Sequence, residues 1–187
     1  GMKIKDHKED TGFKWKDTDI QAIDGGEITV SSIRRAMGIR LMQVRWICMP
    51  RSEGVVMVNE LPLENYLCKV VPSEMPASYQ KEALKAQAIC ARSYAYRQIM
   101  DYAYPEYQAH VNDSTDYQVY NNSASQQAAT EAVQETAGKV LKYNGNIITA
   151  YYYSTSCGKT TTMAAWGTKE KAENAYLQSV EVKDQNR

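Results

Sequence analysis

A chain of 187 residues has the size of one domain and is long enough to bury a core of its own. Its 22 basic and 22 acidic side chains cancel, which argues against a polyanion-tracking surface or a nucleic-acid groove and leaves a neutral polymer as a partner. Four cysteines with no C-x-x-C pair, and two histidines at no zinc-finger spacing from them, give no metal-binding pattern, and no apolar run approaches the ~20 residues needed to span a bilayer.

Residues 1–25 are rich in charge, with Lys3, Lys5, Asp6, His7, Lys8, Glu9 and Asp10, and read as a flexible arm ahead of one domain over residues 26–187. No signal peptide is present, and Gly1 before Met2 looks like a cloning scar. Asp24, Gly25 and Gly26 punctuate the approach to a short strand at Ile28 and Val30. Over residues 40–48, Met42, Val44, Trp46 and Cys48 alternate with Gln43 and Arg45, the pattern of a half-buried strand, and residues 55–58 offer another.

Pro72 and Pro76 then bracket Glu74. Proline suits the first turn of a helix but not its interior, so Pro76 marks a helix start and Glu74 is expected on a rigid, non-helical stretch at the helix mouth. Val70, Val71 and Met75 lie beside it, and a carboxyl held among apolar groups loses hydration of its charged form, which is one way to build a general acid. The plainer reading is a carboxylate near a helix N-terminus, favoured there by the helix dipole.

The helix itself is the clearest element, because Leu84, Ala88, Ala91, Ala95 and Ile99 recur at steps of four and three and form one apolar stripe ending near Tyr102. Arg92 and Lys85 flank one edge of the stripe, Gln87 and Tyr94 the other; such groups either cap the core or reach into a neighbouring cleft. A second helix is expected over residues 124–137, stopped by Gly138. Residues 140–143 and 147–153 then read as a hairpin about Asn144-Gly145, since that pair accepts the positive φ angles of a tight turn. The hairpin delivers a loop of small hydroxyl residues, 154–158, suited to hydrogen-bonding sugar oxygens. Fourteen tyrosines against one phenylalanine also suit a sugar-binding cleft, although most of them serve as ordinary half-exposed packing. The cysteines are expected as thiols. These elements predict an α+β fold: a small, mostly antiparallel sheet with a long helix packed on it, leaving Glu74 in an open substrate groove.

Seven short segments carry a more specific signal. Leu61 to Tyr66 with Val71-Pro72-Ser73-Glu74-Met75-Pro76 and Ala83 to Tyr94, then Asp116-Tyr117-Gln118-Val119-Tyr120, then Tyr153-Ser154-Thr155-Ser156-Cys157-Gly158-Lys159-Thr160, followed by Trp166-Gly167 and Tyr176 to Val180, resemble the motifs of the SpoIID/LytB family in their order. They cover roughly two thirds of the chain. The resemblance implies a SpoIID-like catalytic domain on the exported, cell-wall side of the membrane, its anchor or signal lying outside this sequence. It implies a lytic transglycosylase of peptidoglycan that requires no cofactor, with Glu74 as catalytic acid and base; the zinc site of some members is not carried over to this chain. Arg92, Gln118, Tyr120, Tyr153, Ser154, Ser156, Trp166 and Gln87 would bind the saccharide. A partner amidase is implied as well, and the LytB branch of the family offers a second reading: a glycan-binding protein that enhances a cell-wall amidase.

Two departures from the family pattern stand out. Cys157 replaces the first glycine of its glycine pair, and residues 110–117 lack the cysteines with which some members hold zinc. Two other patterns fail on their own terms. Gly158-Lys159-Thr160 resembles the end of a phosphate-binding loop, but Tyr153 stands where that motif needs glycine. Cys157 and His110 offer a thiol and a base with no third group to orient them.

Overall fold

The computed structural model describes residues 18–20, 28–35, 38–42, 45–121 and 124–182, with side chains from Ile47 onward. The charged arm expected over residues 1–25 lies outside the described residues except at Thr18–Ile20, which forms strand β1. β2 (Ile28–Arg35) and β3 (Gly38–Met42) form an antiparallel pair, and β4 (Arg45–Arg51) runs between β1 and β5 (Gly54–Glu60) in an antiparallel sheet of order β1-β4-β5. The strand expected over 40–48 is therefore two strands, with residues 43–44 outside the described residues. Its buried face also differs from the expected one: Ile47 and Met49 are buried, while Cys48 between them is only half-buried. Residues 46–49 are all apolar, so their alternation carries no polarity to reveal which side faces inward.

Three helices follow: α1 (Leu63–Glu74), α2 (Lys81–Asp101) and α3 (Gln127–Glu135). α1 is not among the elements the sequence predicts, and it carries Pro72 within its last turn. Proline lacks the N–H that would bond the Cys68 carbonyl, one missing rung at the end of the ladder. The next residue compensates locally, its Ser73 hydroxyl donating to the Lys69 carbonyl at 2.6 Å. Pro76 belongs to the α1–α2 connection, where its carbonyl accepts from Tyr79 N–H at 3.0 Å, and α2 begins at Lys81. The end of α2 lies where the apolar stripe predicts, at Tyr102 with φ 45°.

The core is helical. Leu67, Val70 and Val71 of α1, Leu84, Ala88 and Ala91 of α2, and Ala129, Ala132 and Val133 of α3 pack into one cluster, joined by Tyr120. The long helix packs chiefly on α1 and α3, with a smaller contact to the strand at residues 146–147, and the fold is α+β with three helices beside small antiparallel sheets. Alanines at the contacts let the three helix backbones approach closely, which is why so small a set of side chains can be fully covered. The expected hairpin is present as β6 (Lys142–Tyr143) and β7 (Asn146–Ile147), with Asn144 at φ 48° and Gly145 at φ 81° as its turn chemistry requires.

Candidate active site

Glu74 is the last residue of α1, and the chain turns extended at Met75 with φ −138°. It thus sits at a helix C-terminus, not on a non-helical stretch at a helix mouth, and the helix dipole offers its charge no support there. Support comes from a crossing segment. Val119 N–H donates to Glu74 Oε1 at 2.7 Å, and two residues on, Asn121 N–H donates to the Ser73 hydroxyl at 3.1 Å. The segment's register on α1 and α2 is fixed by Gln118, a buried side chain whose Nε2 donates to the Ala91 carbonyl at 3.2 Å. One carboxylate oxygen is thus bonded to a backbone N–H while the group borders a cavity of about 260 Å³.

Aromatic rings and one further carboxylate surround that cavity. Tyr94 of α2, Tyr151, Tyr152, Asp116 and Gln118 line it together with Glu74. The Gln118 amide also donates to the Tyr152 hydroxyl at 3.0 Å, and its Oε1 accepts from Tyr66 at 3.3 Å. Burial first, and then the neighbouring Glu74 charge, push the Tyr152 phenol well above the ordinary tyrosine range. Burial likewise pushes up Tyr66 and Tyr94, with smaller contributions from nearby tyrosines and from Glu74, so the three phenols stay protonated. Asp116 is exposed, and its Oδ2 accepts from the Ser114 hydroxyl at 3.0 Å.

The Tyr151 ring joins this cavity to a second one of about 690 Å³, bordered by Tyr143, Asn146, Thr149 and Tyr176. Trp166 lies 5.0 Å from Tyr151 between ring centroids and is 57% exposed, so the two rings form an aromatic ledge that meets the Glu74 cavity at Tyr151. Tyr94 meets Tyr151 edge-on, with ring centroids 6.2 Å apart. Flat apolar faces with polar rims are the usual complement of a sugar ring.

Of the saccharide-binding candidates, Gln118 lines the cavity and Trp166 stands on the ledge. Tyr153, Ser154 and Ser156 are exposed on the following loop and do not line the Glu74 cavity. In that loop the left-handed residue is Gly158, at φ 95°, and its N–H donates to the Ser156 hydroxyl at 3.0 Å. Cys157 needs no such conformation, so a cysteine fits where the family pattern has glycine.

Arg92, Tyr120 and Gln87 are placed elsewhere. Arg92 is 1% exposed and turns into the helical core, where Nε and Nη2 each donate to Glu64 at 2.8 Å. Its other donors meet the Val133 and Lys139 carbonyls at 3.1 Å and the Thr136 hydroxyl at 3.4 Å. The guanidinium therefore ties α1 and α2 to the C-terminal end of α3, where helix carbonyls lack intrahelical partners. Tyr120 is buried with its ring stacked on Tyr66 at 5.4 Å. Gln87 is buried in α2 and does not line the Glu74 cavity.

Sequence reasoning does not single out Tyr151, Tyr152 or Asp116 as site residues. The signal for the tyrosines is the run Tyr151-Tyr152-Tyr153 itself: in extended chain successive side chains take opposite sides, and here Tyr152 is the half-buried one between two exposed neighbours.

Comparison with known proteins gives a consistent direction. Residues 51–143 match the family described as SpoIID, Stage II sporulation protein. The chain is 37% identical over 137 residues to Stage II sporulation protein D of Bacillus subtilis, an alignment covering 66% of this chain and 39% of that protein. It is 37% identical over 128 residues to an uncharacterized protein of Brachyspira hyodysenteriae, covering 68% of this chain and 32% of the relative. A third relative, the amidase enhancer of Bacillus subtilis, is 45% identical over 91 residues, 49% of this chain and 12% of that protein. The chain thus spans well under half the length of each of these relatives.

Proposed function

We propose that this chain, which belongs to the SpoIID family of Stage II sporulation proteins, acts on the glycan strands of peptidoglycan in cell-wall remodelling during sporulation, as a lytic transglycosylase. The observation that carries the reading is Glu74 itself: a carboxylate bonded to Val119 N–H, bordering an open cavity beside the Tyr151–Trp166 ledge. The two cavities joined at Tyr151 would serve as the groove for an extended strand.

In this reading the protonated Glu74 carboxyl donates to the glycosidic oxygen between N-acetylmuramic acid and N-acetylglucosamine, and the bond from that oxygen to the muramyl C1 breaks. The resulting carboxylate takes the proton of the muramyl O6 hydroxyl as O6 bonds to C1. A 1,6-anhydro ring closes, Glu74 is protonated again, and no water is consumed. Because a second carboxylate, Asp116, borders the same cavity, ordinary hydrolysis is the chemical alternative, with one group as acid and the other activating water. The protein would work on the exported, cell-wall side of the membrane alongside an amidase.

Likeness to an amidase enhancer supports a second reading, in which the same groove binds glycan without cutting it and the protein assists the amidase. The test is mass spectrometry of soluble products from glycan strands stripped of peptides, with wild type, Glu74→Gln and Asp116→Asn. Anhydromuramyl ends from wild type and Asp116→Asn, and none from Glu74→Gln, are expected. Reducing ends that require Asp116 would establish hydrolysis instead, and strands bound but intact would establish the binding role.

A further inference from the structure

The direction of the hydrogen bonds around Gln118 decides what the Tyr152 hydroxyl can do. Gln118 is 2% exposed, and the group 3.2 Å from its amide nitrogen is the Ala91 carbonyl, which can only accept. The amide therefore has one orientation: nitrogen toward Ala91, oxygen toward Tyr66, whose hydroxyl donates to it at 3.3 Å. The second hydrogen of the same nitrogen points at the Tyr152 oxygen, 3.0 Å away. Tyr152 thus accepts from Gln118, and its own proton must be given elsewhere. Glu74 lines the same cavity, and its negative charge is among the causes that push the Tyr152 phenol up.

We propose that Tyr152 is the positioning residue of this site: directed by Gln118, its hydroxyl donates to the Glu74 carboxylate and, with Val119 N–H, holds that group in one orientation toward the bond to be cut. The inference rests on Glu74 being the acid and base. Burial makes the phenol suitable, since it stays neutral and supplies a proton for hydrogen bonding without releasing it. The chain Tyr66–Gln118–Tyr152 reaches from the helical core, where Tyr66 stacks on Tyr120, to the cavity, so core packing sets the aim of the carboxylate.

Tyr152→Phe removes the hydroxyl and keeps the ring. A hydrogen bond to a charged group lost from a held catalytic carboxylate should lower kcat about ten- to a hundredfold, with KM changed less than about twofold. Tyr96→Phe, an exposed tyrosine on α2, serves as the control and should leave both constants unchanged. Unaltered kcat in a folded Tyr152→Phe, with Glu74→Gln inactive, would overturn the positioning role while leaving the role of Glu74 intact. A readout independent of turnover is the carboxyl ¹³C resonance of Glu74 at neutral pH, assigned by its loss in Glu74→Gln. Tyr152→Phe should displace it and Tyr96→Phe should not; a resonance that stays in place refutes the bond even if the protein proves to cut nothing. If Tyr152→Phe does not fold, Gln118→Met, which releases the Tyr152 proton from its imposed direction, should displace the same resonance, and no displacement again overturns the proposal.

Discussion

Arg92 offers the sharpest test of how this fold is held. Family resemblance puts it in the saccharide cleft, whereas its guanidinium is buried and bonded twice to Glu64 and also to groups at the end of α3. Arg92→Met keeps most of the apolar volume and removes every one of these bonds. It leaves the Val133 and Lys139 carbonyls without this donor and Glu64 without its cation, so the loss should resemble that of breaking a buried pair, about 3–5 kcal/mol. Glu64 is 39% exposed and recovers some hydration, which favours the lower end. For a chain of this size that corresponds to a melting temperature lower by about 6–20 °C. Arg92→Lys keeps a charge without the planar fork and should fall between the two. The assay is urea and thermal denaturation by circular dichroism, with glycan binding measured where both proteins are folded. In the double variant Arg92→Met, Glu64→Leu the loss should be smaller than the sum of the single losses, as coupled partners require. A stability within about 1 kcal/mol of wild type together with lost glycan binding would refute this account and return Arg92 to the substrate.

Three further outcomes are expected. Burial pushes the Glu64 carboxyl up, but the hydrogen bonds and charge of Arg92, with Gly138 N–H, outweigh this and hold it below the usual carboxylate range. Its folded pKa is thus below its unfolded one, so its stabilisation is complete above the unfolded value, about 4.3, and is lost as pH falls through the folded value. The melting advantage of wild type over Glu64→Gln should therefore be present near neutral pH and vanish in acid; an advantage that persists there counts against the pairing. Trp166→Ala removes the exposed ring of the ledge and should weaken glycan binding about three- to tenfold without changing the melting temperature, as read by titration against isolated strands. Gly145→Ala places a side chain at φ 81°, where no atom lies within reach to clash, so the cost should be purely conformational, about 1 kcal/mol by denaturant midpoint.

Much of the fold is legible in the sequence where one physical signal acts alone. The stripe Leu84, Ala88, Ala91, Ala95 marks the buried face of α2, although its last predicted member, Ile99, is 39% exposed beyond the packed part of the helix, and Asn144-Gly145 marks the tight hairpin turn. α1 is illegible for the opposite reason. Leu67, Val70 and Val71 have helical spacing, but Pro72 argues against a helix, and only tertiary packing shows that a proline in the last turn is tolerated there. β1 is hidden in a polar segment because its partner β4, not its own composition, makes it a strand.

The site is legible in a different sense, because the family motifs mix groups that face the cavity with groups that hold its frame. Glu74 and Gln118 border the cavity, while Arg92 and Tyr120 in the same motifs are buried in helical packing. A shared motif therefore reports the frame as strongly as it reports contacts with substrate. That distinction bears on the two functional readings. A transglycosylase and a glycan-binding partner both need the ledge and the helical frame, so resemblance to either kind of relative follows from the same residues. What the enzyme needs in addition is a carboxyl held in one orientation beside the bond, and the groups placed to do this here are Val119 N–H and, in the reading above, the Tyr152 hydroxyl with the Gln118 amide behind it. A protein that only bound glycan would lose little by relaxing that orientation. Sensitivity of turnover to Tyr152, in a variant whose strand binding is unchanged, is accordingly the property that the cutting enzyme must have and the binding partner need not.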